Sequence, residues 1–323
     1  MTKIDIYSGF LGAGKTTLIK KMIQESYCGQ KLVLIENEFG EIGIDGGFLQ
    51  DAGVNITEMN SGCICCSLVG DFGKALTQVI EQYDPDRIVI EPSGVGKLSD
   101  VIAAVNKVTN DEVTLGYTVA VVDAGKVKVY MKNFGEFYNN QVETASTIIL
   151  SRTDAIAQHK LDTAVAMLRE HNADATIVTT PWDALTGAQL IEAMEGKATL
   201  AAELAQLVHD HHHHDHDEHC SCGHDHEHHH HHADEVFTSW GVETARKFTA
   251  AGIEEALKKL DTREYGFVLR AKGIVPAEDG TWIHFDYVPG EANVRSGSAA
   301  ITGKLCVIGA DLDEADIAQL FGV

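Results

Sequence analysis

"GFLGAGKT", Gly9 to Thr16, stands directly behind the strand-like run "KIDIYS" and ahead of the helix-forming "TLIKKMIQ". It matches G-x-x-x-x-G-K-[ST], the loop whose backbone N–H groups close around phosphate oxygens. Lys15 is expected to reach the β/γ oxygens, and the Thr16 hydroxyl to take Mg²⁺ at the positive end of the following helix. Gly9, Gly12, Ala13, Gly14, Lys15, Thr16 and Thr17 are therefore the expected phosphate contacts. The strand–loop–helix context is the one this motif requires, so the loop decides the fold class.

β-rich apolar runs alternate with segments of helical period from Lys3 to about Val178. The runs are "IDIYSG", "LVLIEN", "RIVIEP", "YTVAVVDA", "STIIL" and "ATIVTT". Phe72, Leu76, Val79, Ile80 and Tyr83, at i, i+4, i+7, i+8 and i+11, mark one helix between them. This alternation predicts an α/β phosphate-loop domain with a mostly parallel sheet covered on both faces. Thr186 to Val208 turns polar and helical, and the domain is drawn as residues 1–208.

Residues 209–235 follow as a histidine-rich insert with no apolar periodicity, expected to be disordered. Residues 236–323 resume folded patterning. A helix near Thr244 to Leu260, strands "YGFVLRAKG", "TWIHFDYV" and "KLCVIG", and a closing helix "DEADIAQLF" predict a small α+β domain.

Two strand ends specify the chemistry further. "RIVIEPSG" places Glu91 at the end of a buried strand and Gly94 three residues on, an E-x-x-G suited to sensing the γ-phosphate and the magnesium shell. Lys15, Thr16 and Glu91 are the expected catalytic residues. Val95, next in line, cannot orient an attacking water, so slow intrinsic turnover is expected. "TIILSRTD" ends in Ser151-Arg152-Thr153-Asp154. A carboxylate there accepts from guanine N1–H and its exocyclic amine together, a pattern adenine does not present, so Asp154 argues for GTP over ATP. Arg152 is expected to lie over the base.

"NSGCICCSLVG", Asn60 to Gly70, concentrates three of the chain's seven cysteines, Cys63, Cys65 and Cys66. Three thiolates suit Zn²⁺ or another soft-tolerant divalent ion and leave a fourth position for water, a carboxylate or an incoming ligand. A closed zinc site completed by a distant residue, or a buried inert cluster, are the alternatives. Cys28 and Cys306 read as core packing. The insert holds 14 of the 17 histidines, interleaved with Asp and Glu. His211, His213, His219, Cys220 and Cys222 represent a run able to hold several Zn²⁺, Ni²⁺, Co²⁺ or Cu²⁺ ions loosely.

At 323 residues, 44% of them apolar, the chain is long enough for two folded domains. A net charge of −23 argues against nucleic acid and anionic lipid as partners. No apolar run approaches a membrane span and the N-terminus carries no signal core, so a cytoplasmic location is expected. There thiols stay reduced, which favours metal ligation over disulfides.

Gly9 to Thr16, "ENEFGEIGID" (Glu36 to Asp45), "GCICC" (Gly62 to Cys66), "EPSG", "SRTD", the histidine run and "LRAKG" (Leu269 to Gly273) together resemble the CobW family of P-loop GTPases. The resemblance implies metal insertion: a GTPase that carries Zn²⁺, Co²⁺ or Ni²⁺ to a client metalloprotein. It implies GTP and Mg²⁺ on the phosphate loop, the transition metal on the three cysteines, and a carboxylate from Glu38 or Asp45. A second copy of the chain is a candidate partner. The alternatives are a metal buffer built on the histidine run and a GTPase gating cofactor loading.

Overall fold

The computed structural model describes residues 1–36, 56–60, 69–196 and 238–323. The chain divides into two compact units, Met1–Lys197 and Ala198–Val323. Among the described residues no helix is long and apolar enough to cross a membrane.

In the first unit, seven strands lie in the order β3-β2-β4-β1-β5-β6-β7. They are β1 (Thr2–Gly9), β2 (Leu32–Glu36), β3 (Ile56–Asn60), β4 (Arg87–Glu91), β5 (Val113–Asp123), β6 (Thr147–Ser151) and β7 (Thr176–Val178). Every pairing is parallel. The helices are α1 (Lys15–Glu25), α2 (Val69–Tyr83), α3 (Leu98–Asn106), α4 (Val127–Thr144), α5 (Gln158–His171) and α6 (Gly187–Met194). Helices α2 to α5 pack side by side in one layer, while α1 packs with α6. The central strands are apolar nearly throughout because both their faces are covered. All six apolar runs read from the sequence are strands.

Parallel strands put their carboxyl ends on one edge, and Gly9, Glu91, Asp123 and Ser151 are the last residues of β1, β4, β5 and β6. From β1 the chain leaves toward β2 on one side and later returns to β5 on the other. Such a switch point opens a crevice at the carboxyl ends, where α/β sheets bind their ligands.

A buried ion pair sits mid-sheet. Asp5 is fully buried on β1 and is paired with Arg87 of β4, itself 7% exposed. The Tyr27 hydroxyl donates to the same carboxylate oxygen at 3.1 Å, and the Tyr117 amide to the other at 2.9 Å. Arg87 donates its Nε to Gln30 Oε1 at 2.9 Å and stacks its guanidinium 4.4 Å from the Tyr27 ring centre. Burial holds the Tyr7 and Tyr27 phenols well above their ordinary range, so both stay neutral donors.

The second unit, described from Thr238, is a five-stranded antiparallel sheet in the order β11-β10-β9-β12-β8. Its strands are β8 (Thr238–Thr244), β9 (Phe267–Pro276), β10 (Trp282–Val288), β11 (Glu291–Gly297) and β12 (Gly303–Ala310). Helices α7 (Ala250–Lys259) and α8 (Glu314–Phe321) pack over a core of Trp240, Ile253, Leu257, Phe285, Val307 and Phe321.

The structure departs from two expectations. The helix foreseen from Thr244 begins only at Ala250, because the Thr249 side chain caps it by accepting from the Gly252 amide at 3.0 Å, and Thr244 ends β8 instead. Cys28 is exposed rather than core. It follows Tyr27, which takes the buried direction after α1, and its thiol turns back to the Gln24 carbonyl at 2.9 Å. Cys306 is buried, as its surroundings suggested.

Candidate functional site: the phosphate loop and its neighbours

The loop leaves β1 at Gly9 and enters α1 at Lys15, with Gly9, Gly12 and Gly14 at φ 147°, 68° and 103°. Only glycine adopts these values without strain, which is why the motif spaces glycines there. The α1 amino end has neither a side-chain cap nor an acidic residue in its first turn. Its positive end is thus left for an anion. Lys15, 8% exposed, donates Nζ to the Gly9 carbonyl at 3.0 Å and so lies folded across the loop. Ala13 is buried and Thr17 exposed.

Thr16 and Glu91 come together at the start of α1. The Thr16 hydroxyl lies 3.0 Å from each Glu91 oxygen. A hydroxyl and a carboxylate converging beside a phosphate loop are the hard oxygen donors that Mg²⁺ takes along with phosphates and water. The residues present therefore fit a magnesium ion. Glu36, the last residue of β2, is the register partner of Glu91, so the "ENEFGEIGID" segment starts at this corner.

Gly94 backs onto the phosphate loop: a Cβ there would lie 2.7 Å from the Leu11 amide nitrogen. No larger residue fits without moving one loop off the other. Gln141 of α4, 1% exposed, donates to the Gly94 carbonyl at 3.1 Å and the Gly96 carbonyl at 2.8 Å. Sequence reasoning passed over Gln141. Its signal was a polar residue on the same helical face as Met131, Tyr138 and Val142. Phe10 of the loop packs on α4 too, with ring centres 4.6 Å from Tyr130 and 5.0 Å from Phe134.

Asp123 was also passed over, although "YTVAVVDA" ends in a carboxylate as "RIVIEP" does. It is 8% exposed, paired with Arg152, and accepts from the Gly125 amide at 2.9 Å. Arg152 also donates to the Gly12 carbonyl at 3.0 Å. Its guanidinium thus ties the β6 loop to the phosphate loop, where the sequence had placed it over the base. Ser151 is buried at the strand end, and Asp154 is exposed in the turn beyond it.

Residues 3–179, more than half of the chain, match the CobW/HypB/UreG nucleotide-binding domain. The chain belongs to this family of P-loop GTPases. Residues 237–322 match the cobalamin synthesis protein cobW C-terminal domain. Zinc chaperone CobW of Sinorhizobium sp is 34% identical over 180 residues, 47% of this chain and 51% of that protein. Zinc chaperone YjiA of Escherichia coli strain K12 is 33% identical over 184 residues, 54% of this chain and 56% of that protein. Zinc-regulated GTPase metalloprotein activator 1 of Schizosaccharomyces pombe is 28% identical over 192 residues, 56% of this chain and 46% of that protein. The chain spans about half the length of the curated relatives it matches. The solved structure of zinc-bound YjiA GTPase from E. coli aligns over 99% of this chain and 98% of that chain, at 20% identity and a TM-score of 0.43.

In this CobW-family chain the metal ligands expected from sequence lie outside the described residues: Cys63, Cys65, Cys66, Glu38, Asp45, His211, His213, His219, Cys220 and Cys222. Among the described residues, no three His, Cys, Asp or Glu side chains group as a metal site.

Proposed function

We propose that this CobW-family protein is a GTP-hydrolysing metallochaperone that holds a transition-metal ion, Zn²⁺ or Co²⁺, on Cys63, Cys65 and Cys66 and passes it to a client metalloprotein. The observation that supports the GTPase half is the Thr16–Glu91 contact at 3.0 Å, which joins the phosphate loop to the end of β4 where Mg²⁺ would be held. Bound Mg²⁺ would neutralise charge on the β and γ oxygens. Lys15 would exchange the Gly9 carbonyl for phosphate oxygens, and the Gly94 backbone would meet the γ-phosphate from the opposite side. Asp154 would read guanine, with Arg152 bracing its loop. The metal half is supported by the clustered thiols and by relatives named zinc chaperones.

The test is metal content and GTPase rate of the purified full chain in Mg²⁺, with Zn²⁺, Co²⁺ and Ni²⁺ added in turn, repeated after deletion of His209 to His232. One tightly held ion and unchanged turnover should survive the deletion, while the loosely bound ions fall away. Loss of the tight ion with the histidines would make the protein a metal buffer.

A further inference from the structure

We infer that Trp182 forms one wall of the purine pocket, giving the nucleotide base an aromatic face to stack on. Trp182 opens the turn Trp182–Ala184 that follows β7. Since β7 pairs with β6, this turn emerges on the same edge as Ser151. The indole reaches further, to the phosphate loop. The point where a Cβ on Gly14 would sit lies 3.0 Å from Trp182 Cη2, 3.4 Å from Cζ2 and 4.0 Å from Ser151 Cβ. Phosphate loop, β6 end and indole thus converge within 4 Å of one point.

Three properties single out this ring. Trp240 and Trp282 are buried at 9% and 7% exposure, whereas Trp182 is only half-buried. A large aromatic ring kept partly open at a ligand crevice is placed to take a stacking partner. Second, Ser151 is short, and its Cβ lies 4.0 Å from the same point beside Gly14 that the indole approaches to 3.0 Å. Third, the ends of a bound nucleotide are already assigned. Phosphates belong to Gly12–Thr16, and Asp154 reads the base edge. The purine ring must cross the interval between them, and Trp182 stands beside Gly14 and Ser151 at its phosphate end.

The inference rests on the proposed reading of Asp154, but the two act differently. Every base has a π face, so stacking raises affinity without choosing among purines. A carboxylate on the base edge chooses without adding much area. Trp182 should therefore set how tightly nucleotides bind, and Asp154 which of them.

Tryptophan fluorescence of the full chain, titrated with GTP, GDP and ATP, tests this alongside calorimetric affinities. Wild-type emission should shift on saturation, and Trp182→Phe should abolish the shift while holding affinity within about threefold. Trp182→Ala should weaken all three nucleotides by one common factor, roughly 5- to 150-fold. Asp154→Asn should keep the emission change and lose the preference for GTP over ATP. An unchanged wild-type emission, or a shift persisting in Trp182→Phe, overturns the assignment even where Trp182→Ala fails to fold. Should Asp154→Asn leave the preference intact while the Trp182 results hold, the guanine reading falls and the stacking wall stands.

Discussion

Lys15→Ala is expected to lower GTP hydrolysis by about 10³-fold or more, with the fold intact. Phosphoryl transfer gives the protein little covalent work, so rate comes from positioning and from cancelling charge on the transferring group. Removing one preorganised donor at such a site costs about 10²- to 10³-fold. A full positive charge on the β/γ oxygens contributes at least as much. In the folded chain the ammonium donates to the Gly9 carbonyl. Losing that bond, made by a charged donor, costs roughly 1.5 to 3 kcal/mol, too little to unfold the domain. Hydrolysis at the wild-type rate in a folded Lys15→Ala protein would remove the phosphate loop from the mechanism. A thermal midpoint within a few degrees of wild type separates lost chemistry from lost structure.

The largest effect on stability is expected from Arg87→Met. Asp5 is fully buried, and in this variant its charge loses the only guanidinium facing it among the described residues. Breaking a buried pair from one side costs about 3 to 5 kcal/mol, because the remaining charge stays desolvated. Tyr27 and the Tyr117 amide would still donate to the carboxylate, which places the loss toward the lower end of that range. Adding Asp5→Leu to Arg87→Met removes the stranded charge and should restore much of the lost stability. Urea unfolding midpoints of wild type, single and double variants measure this, and a single variant as stable as wild type would contradict it.

The catalytic end of the fold was legible because each of its strands announces itself. Parallel strands covered on both faces read as unbroken apolar runs, and "RIVIE" or "TIILS" cannot be mistaken for a surface segment. Glu91 and Ser151 then mark the points where those runs turn polar. The edge strands of the second sheet gave no such signal. β11, "EANVRSG", is exposed at nearly every position, so no alternation survives in its composition. β8 carries one buried residue, Trp240, and its polar end blended into the helix that starts six residues later.

The residues missed at the site share a different cause. Gln141 works on backbone carbonyls of a loop 45 residues away, and the Trp182 indole lies where a Cβ on a glycine far upstream would point. Neither partner bears a side chain that could advertise the contact. Asp5 and Arg87 likewise meet across strands that are adjacent in the sheet and distant in the chain.

The measurement that most directly tests a GTP-gated metal carrier is Zn²⁺ affinity of the full chain in three states, nucleotide-free, with GDP and with a non-hydrolysable GTP analogue, by competition with a chromophoric chelator. If metal and γ-phosphate bias the same two-state segment, each must change the affinity of the other by the same factor. A bias of ~1 to 3 kcal/mol gives a roughly 5- to 150-fold difference. Zn²⁺ should bind more tightly with the GTP analogue than with GDP, and Cys65→Ser should weaken binding and remove most of the nucleotide effect. Equal Zn²⁺ affinity in all three states would contradict the account and leave the cysteines with a structural role.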